Sequence, residues 1–237
     1  AIDQAGFEAA MEAQRVRARA ASRFGVDQRA VQLDARSRFQ GYDGTRAEGR
    51  IVALIADGQR VPELKAGERG EVILDVTPFY AESGGQVGDA GELGAPGLRF
   101  IVEDTQKRGS GNAHSHLGRV AEGVLREGMV LVAQVDAQLR AATAANHSAT
   151  HLLHAALRSV LGGHVQQRGS MVSPERLRFD FAHFQPVAPE ELRRIERLVN
   201  EQVRVNAVAE TREMAYDEAV ASGAIALFGE KYESKVR

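Results

Sequence analysis

The spacing of apolar residues changes along the chain and predicts three segments. Residues 1 to about 24 are rich in Ala, contain Phe7 and Met11, and carry a basic run before Gly25, which predicts a helix ending at this glycine. From about residue 38 to residue 137, short runs of Val, Ile and Leu are separated by clusters of Gly, Pro and Asp. This pattern is typical of strands joined by turns and indicates a small antiparallel β-barrel. Its predicted strands are Ile51 to Ile55, Glu71 to Thr77, Leu98 to Glu103 and Val130 to Asp136.

Helices alternate with strands in the last segment, residues 138 to 237. An apolar stripe predicts a helix ending at Gly162-Gly163, and Pro189 opens a second amphipathic helix. Two strands are predicted between them, Gln166 to Val172 and Arg178 to Phe184. The buried face of the second helix is predicted to be Leu192, Ile195, Val199, Gln202 and Val203. The chain is therefore predicted to be α+β, with an N-terminal helical segment (1–37), a β-barrel (38–137) and an α+β core (138–237).

Histidines on the first helix of this core are candidate metal ligands. His147 and His151 are four residues apart, so their imidazoles are neighbours on the helix surface, and neutral imidazole is a common zinc ligand. Zinc needs three or four protein ligands, and the sequence contains no cysteine. The alternative is that these histidines are surface residues or hydrogen-bonded core residues. The metalloprotease pattern is not matched, because Ser148 stands where that pattern has a general-base Glu.

The charge balance argues against a uniformly basic nucleic-acid-binding surface. The chain has 30 Lys and Arg against 32 Asp and Glu, a formal net charge of -2, so any contact with RNA must be local. No segment approaches the roughly 18 apolar residues that a membrane-spanning helix needs, and we expect no signal peptide. We therefore expect a cytoplasmic protein without a membrane partner.

Five phrases in this sequence match one protein family, in the family's order. Three lie close together in the core segment: Asn146 to His154 (NHSATHLLH), His164 to Ser170 (HVQQRGS) and Leu177 to Phe181 (LRFDF). A fourth lies upstream in the barrel segment, Thr77 to Asp89 (TPFYAESGGQVGD), and the fifth lies near the end of the core segment, Ala226 to Tyr232 (ALFGEKY). Together they closely resemble the editing domain of alanyl-tRNA synthetase, the fourth resembling the family's glycine motif and the fifth its late signature. The resemblance covers essentially the whole chain.

This resemblance implies an editing reaction, the hydrolysis of the ester that wrongly joins serine or glycine to the 3′-terminal adenosine of tRNA(Ala). The parent enzyme would attach alanine to tRNA(Ala) using ATP. The first segment would be the end of the helical tRNA-recognition region, and the barrel would be similar to that of translation factors. The implied partners are the 3′ end of tRNA(Ala) and the remainder of the synthetase chain.

The resemblance also assigns roles to individual residues. His147 and His151 would be zinc ligands. In the family a Cys-x-x-x-His pair follows the Gly-Glu-Lys-Tyr phrase and completes the site, but this chain stops at Arg237 before reaching it. We therefore expect an incomplete zinc site that can be empty. The catalytic residues would be Gln167 and Thr150, and the substrate-binding residues would be Ser170, Asp180, Gly84 and Gly85.

Each of these side chains also has a structural explanation. Thr150 can be a helix-surface residue, Gln167 a strand-edge residue and Ser170 a turn residue. Asp180 can form an outward salt bridge, and the two glycines can simply form a tight hairpin. No side chain is an obvious general base, and the metal would either activate a water or polarise the ester.

Two other functions remain open at this point. The chain can be a free-standing editing protein or a non-catalytic tRNA-binding module. It begins at Ala1 and carries a helix upstream of the barrel, which favours a domain of the synthetase over a free-standing protein. Hydrolysis of seryl-tRNA separates the catalytic alternatives from the binding module.

Overall fold

The computed structural model describes residues 3–21, 35–109, 113–208, 210–224 and 234–236, which fold as two compact units. The barrel unit comprises residues 1–83 and 88–137, and the helix–hairpin unit comprises residues 84–87 and 138–237. The predicted helix end at Gly25 and the phrase from Ala226 to Tyr232 lie outside the described residues.

The barrel unit contains one described helix and eleven strands. They are α1 (Gln4–Ala21), β1 (Arg38–Phe39), β2 (Arg46–Ala56), β3 (Gln59–Arg60), β4 (Glu63–Lys65), β5 (Arg69–Leu74), β6 (Val76–Thr77), β7 (Gly91–Ala95), β8 (Leu98–Arg108), β9 (Ala113–Glu122), β10 (Val124–Arg126) and β11 (Val130–Val135).

The helix–hairpin unit contains the remaining described elements. They are α2 (Ala137–Leu161), β12 (Gln166–Val172), β13 (Leu177–Ala182), α3 (Pro189–Val205), β14 (Met214–Ala215), α4 (Tyr216–Ala221) and β15 (Lys235–Val236). The first residue of α2, Ala137, belongs to the barrel unit.

Six antiparallel strands close the barrel. Their order is β2, β5, β9, β8, β7 and β11, and β11 pairs back onto β2. The predicted mixed class with a small antiparallel barrel is therefore confirmed. The run predicted as one strand from Glu71 to Thr77 is divided at Asp75, because β5 pairs with β2 and β9 whereas β6 pairs in parallel with β1.

Large apolar side chains fill the barrel. Leu54, Phe100 and Leu131 come from three different strands and are essentially inaccessible to water. Burial of such side chains contributes about 1.5–3 kcal/mol each, which makes this cluster the main source of stability for the unit.

Helix α2 is fixed to the β12–β13 hairpin in the second unit. The Asn146 side-chain amide donates hydrogen bonds to the carbonyl oxygens of Ser173 (2.8 Å) and Pro174 (3.2 Å) in the hairpin turn. The helix ends where predicted, since Gly162 adopts a positive φ of 114°. The core shared by helices and hairpin includes Ala156, Leu157, Val165 and Ile195, with Leu153, Phe179 and Phe181 packed against them.

The predicted buried face of α3 is only partly correct. Ile195 is buried and Val199 packs against the same core, but Leu192 and Val203 are 53% and 55% exposed, and Gln202 is exposed. The packing involves the middle of the helix, including Leu198, and leaves the apolar residues of its first and last turns uncovered.

Among the described residues, no helix combines the length and the apolar character needed to cross a membrane.

Candidate functional site

His147 and His151 lie side by side on α2, as their spacing predicts. Their rings are stacked with centroids 5.0 Å apart and an interplanar angle of 22°, and both residues are exposed. Partial desolvation, together with the neighbouring His151, lowers the pKa of His147 from its ordinary value of 6.5. The lowered pKa favours the neutral imidazole, which is the form that binds a metal.

The chemistry of the two histidines is compatible with part of a metal coordination shell. Imidazole nitrogen is a ligand that zinc accepts, and a stacked pair on one helix face presents two such donors to the same region. In the described part of the chain, no group of three or more His, Cys, Asp or Glu residues is arranged to hold a metal.

A loop from the glycine motif, residues 84–87, lies against α2 and the β12–β13 hairpin and is called the glycine loop below. Gly84 and Gly85 have positive φ values of 61° and 85°, and a Cβ at Gly85 would lie against the Ser170 carbonyl and 2.7 Å from its hydroxyl oxygen. Glycine at position 85 therefore allows the loop backbone to approach β12. The next residue, Gln86, reaches His147, with 2.6 Å between its Oε1 and His147 Nδ1.

Gln167 and Ser170 are brought together on β12. The Gln167 side-chain amide donates a hydrogen bond to the Ser170 hydroxyl (3.2 Å), and that hydroxyl lies 3.5 Å from the Gly84 carbonyl oxygen. Their cross-strand partners are Phe181 and Phe179, which pack into the core with α2. Gln167 and Ser170 are thus on the hairpin face that is turned towards α2.

Thr150 is buried in α2, only 6% exposed. Its hydroxyl donates to the Asn146 carbonyl oxygen one turn earlier (2.8 Å). Its only hydroxyl proton is therefore used within the helix, although the oxygen keeps acceptor capacity.

Asp180 is on the other face of the hairpin from Gln167 and Ser170. It lies opposite Gly169, and its carboxylate pairs with Arg178 at 3.1 Å. Arg178 and Asp180 are both exposed, whereas Phe179 and Phe181, on the alternate positions, pack inward. Asp180 thus forms an outward salt bridge, which the sequence analysis gave as the alternative to substrate binding. It lies away from Gln167 and Ser170.

Gln86 and His154 were not among the predicted site residues, although both lie in phrases that carry the family resemblance. His154 follows His151 on α2, its ring centroid is 5.2 Å from that of Phe179, and burial is the main cause that lowers its pKa. Its Nε2 is buried without a hydrogen-bond partner in the described part of the chain. Gln86 stands directly after the two glycines in the motif, but its contact with His147 spans 61 residues and has no local signal.

His164 and His183 form a separate pair. His164 Nε2 and His183 Nδ1 are 2.8 Å apart, and the exposed ring of Phe184 stacks on His164 at 4.3 Å. These two histidines are therefore paired with each other.

Comparison with known proteins identifies relatives of the whole chain. The family model described as tRNA synthetases class II (A) matches residues 1–139. Alanine--tRNA ligase from Methylococcus capsulatus is 58% identical over 237 residues, covering 100% of this chain and 27% of the relative. Alanine--tRNA ligase from Halorhodospira halophila is 56% identical over 236 residues, with the same coverage of 100% and 27%.

The two kinds of match cover different parts of the chain. The family model ends at residue 139, before His147, whereas both relatives extend over the histidines, the hairpin and the glycine loop. The chain spans about a quarter of the length of these relatives (27%). The chain belongs to the class II (A) family of tRNA synthetases, and its sequence fits a segment of an alanyl-tRNA synthetase.

Proposed function

We propose that this chain contains the editing site of an alanyl-tRNA synthetase, which hydrolyses seryl and glycyl esters at the 3′ end of tRNA(Ala). The observation that carries the proposal is the exposed, stacked pair of His147 and His151 beside a glycine loop that is held on β12. The relatives are named alanine--tRNA ligase, and these names support ligation of alanine to tRNA as the activity of the parent enzyme.

The need for a separate hydrolytic site follows from the energetics of selection. A pocket that accepts alanine cannot strongly reject glycine or serine, since one methyl or one hydroxyl changes binding by only about 1–3 kcal/mol. A second site that binds the serine hydroxyl through hydrogen bonds removes the wrong product.

Gln167 and Ser170 are the residues that we assign to the serine side chain. They are hydrogen-bonded to each other at 3.2 Å and half-buried, so their orientations are mutually restricted. The Gln167 amide oxygen can accept a hydrogen bond from the substrate hydroxyl, and the Ser170 hydroxyl can act as donor or acceptor. A preorganised pair loses less side-chain entropy on binding than two independent residues would.

The glycine loop supplies backbone groups close to this pair. Gly84 contributes the carbonyl oxygen near the Ser170 hydroxyl, and Gly85 lets the loop backbone lie against Ser170 because it has no side chain. We assign Thr150 to the wall of the site, since its hydroxyl proton is donated to Asn146. Asp180 has no assigned contact with the substrate, because it is on the opposite hairpin face.

His147 and His151 would hold zinc. When bound, zinc would supply Lewis-acid chemistry, either polarising the ester carbonyl or lowering the pKa of a water. The contribution of the chain is to keep the two imidazoles side by side on α2, next to the glycine loop.

The test is release of serine from seryl-tRNA(Ala) by this chain in the presence of zinc. We expect hydrolysis of seryl-tRNA(Ala) to exceed that of alanyl-tRNA(Ala), and the combined His147→Ala and His151→Ala substitutions to abolish it. His183→Ala is the matched control, because His183 pairs with His164 outside the proposed site. The proposal fails if the chain neither releases serine nor binds a non-hydrolysable seryl analogue of the terminal adenosine.

A further inference from the structure

The contact between Gln86 and His147 joins the glycine motif to the histidine helix. Gln86 Oε1 is 2.6 Å from His147 Nδ1, within the range of a strong hydrogen bond. We propose that Gln86 is a positioning residue that holds His147 in the Nδ1-protonated form and leaves Nε2 as its lone-pair donor. The assignment of Nε2 to zinc rests on the proposed function; the choice of tautomer does not.

The chemistry of the two groups determines where the proton lies. An amide oxygen is only an acceptor, so His147 Nδ1 must donate to it. A neutral imidazole carries one N–H and one lone pair, and the lone pair must then be on Nε2. Isolated histidine prefers the opposite form, with the proton on Nε2, so the contact with Gln86 has a measurable consequence.

The backbone holds Gln86 in place independently of its side chain. On one side of it, the Val172 N–H donates to the Gly85 carbonyl oxygen (2.8 Å), and on the other, the Val87 N–H donates to the Val172 carbonyl oxygen (3.0 Å). Gln86 and Val172 form an isolated parallel bridge. The side chain therefore projects from a fixed point on the edge of β12, which reduces the entropy lost when it orients an imidazole.

His151 provides a comparison within the same molecule. Its ring stacks on that of His147, but in the described part of the chain it has no hydrogen-bond partner. Metal-binding histidines generally donate their second N–H to a carbonyl, carboxylate or water, which fixes the ring. Of the two histidines, only His147 has such an acceptor within the described residues, so substitution of Gln86 should affect the tautomer of His147 alone.

The experiment measures tautomers by ¹⁵N NMR in the zinc-free chain at about pH 8.5, well above the ordinary histidine pKa of about 6.5. We expect His147 to be mainly Nδ1-protonated in the wild type and mainly Nε2-protonated in Gln86→Leu. Gln86→Glu keeps an acceptor oxygen at the same reach and should restore the wild-type form. His151 is the internal control and should be the same in all three proteins.

Two outcomes overturn the proposal. One is an Nε2-protonated His147 in the wild type, which would mean that the amide is turned and donates its N–H. The other is an unchanged His147 tautomer in Gln86→Leu, provided that the Gln167 and Ser170 resonances show an intact hairpin. A mere packing role for Gln86 predicts that Leu substitutes better than Glu, the reverse of the expected order.

Zinc affinity gives a second readout that is independent of hydrolysis. Loss of an outer-shell partner typically weakens metal binding about 10–100-fold, and we expect this loss in Gln86→Leu but not in Gln86→Glu. Equal zinc affinity in wild type and Gln86→Leu would overturn the extension to zinc. Absence of serine release with the expected tautomers would count against the proposed function and leave the role of Gln86 intact.

Discussion

His116 lies inside the barrel, wholly buried, with both ring nitrogens in hydrogen bonds. Nδ1 donates a hydrogen bond to the Val72 carbonyl oxygen (2.7 Å), so Nε2 accepts a hydrogen bond from the Thr77 hydroxyl (2.8 Å). Burial lowers the pKa of His116 to about 4, from the ordinary 6.5. The folded barrel therefore requires the neutral imidazole.

The first prediction is that the barrel loses stability on acidification. The pKa of His116 is lower in the folded state, so the unfolded chain binds the proton more tightly and stability falls as the pH drops from 6.5 towards 4. The loss from this residue should reach about 3 kcal/mol. Denaturant titrations of the chain between these two pH values measure it.

His116→Gln provides the comparison for this prediction. It should destabilise the barrel at neutral pH and flatten the pH dependence. Some dependence of the stability on pH should remain in this variant, because burial also lowers the pKa of His114. A slope that is identical in the wild type and the variant would contradict the assignment to His116.

The second prediction compares the two glycines of the motif. Both have positive φ, so Ala at either position should cost about 1–2 kcal/mol through backbone strain. A Cβ at Gly84 meets open space, whereas one at Gly85 would press on the Ser170 backbone and hydroxyl. Gly85→Ala should therefore be the more destabilising and should also displace Gln86.

Gly84→Ala is the matched control, since it carries the strain without the clash. Thermal unfolding gives the difference in stability, and the His147 tautomer reports whether Gln86 has moved. Equal effects of both substitutions would show that backbone strain alone accounts for the cost of adding a side chain in this loop.

Helix α3 begins at Pro189 with an incomplete cap. The Glu191 carboxylate accepts a hydrogen bond from the Ala188 N–H (2.8 Å), but Ala188 has no side-chain oxygen for the helix N–H groups. The backbone of Ala188 already has the extended conformation of a capping residue, with φ of -70° and ψ of 151°.

The third prediction is that Ala188→Ser stabilises the helix–hairpin unit by about 0.5–2 kcal/mol. The new hydroxyl can accept a hydrogen bond from the first turn without a change in backbone. Ala188→Val enlarges the side chain without adding an acceptor and should give no such gain. Equal stabilities of the Ser and Val variants in denaturant titrations would reject the capping explanation.

The elements that sequence predicts well are those with strong local signals. Helix α2 ends at its glycine, α3 begins at its proline, and the apolar runs form barrel strands. The exposed ends of α3 were not predictable in the same way, because periodicity describes which residues share a face but not how much of that face a partner covers. Leu192 and Val203 have the spacing of a buried helix face, but the packing of α3 leaves both of them exposed.

At the scale of the whole molecule, the candidate site also has features that local sequence patterns predict and features that they do not. The stacking of His147 and His151 follows from helix geometry. Gln167 and Ser170 are three residues apart and share a hairpin face because the pairing shifts at a bulge between Gln167 and Gly169. Asp180 is on the other face because successive residues of β13 alternate between faces. The assignment of residues 84–87 to the helix–hairpin unit depends on hydrogen bonds to Val172, more than 80 residues along the chain. No local pattern specifies such a pairing.

The last prediction concerns zinc binding by the whole chain. Two imidazoles leave positions of a tetrahedral shell to water, so the chain should bind zinc weakly and lose it on dialysis. Saturation should stabilise only the part that carries the ligands, by about 2.7 kcal/mol at a zinc concentration 100 times the dissociation constant. Hydrogen exchange should then slow in the middle of α2 and in residues 84–87, because Gln86 contacts His147.

The barrel strands serve as the reference for this exchange measurement, and the combined His147→Ala and His151→Ala substitutions should remove the protection. One tightly held zinc per chain would contradict the prediction and would direct attention to His154, whose buried Nε2 has no hydrogen-bond partner among the described residues.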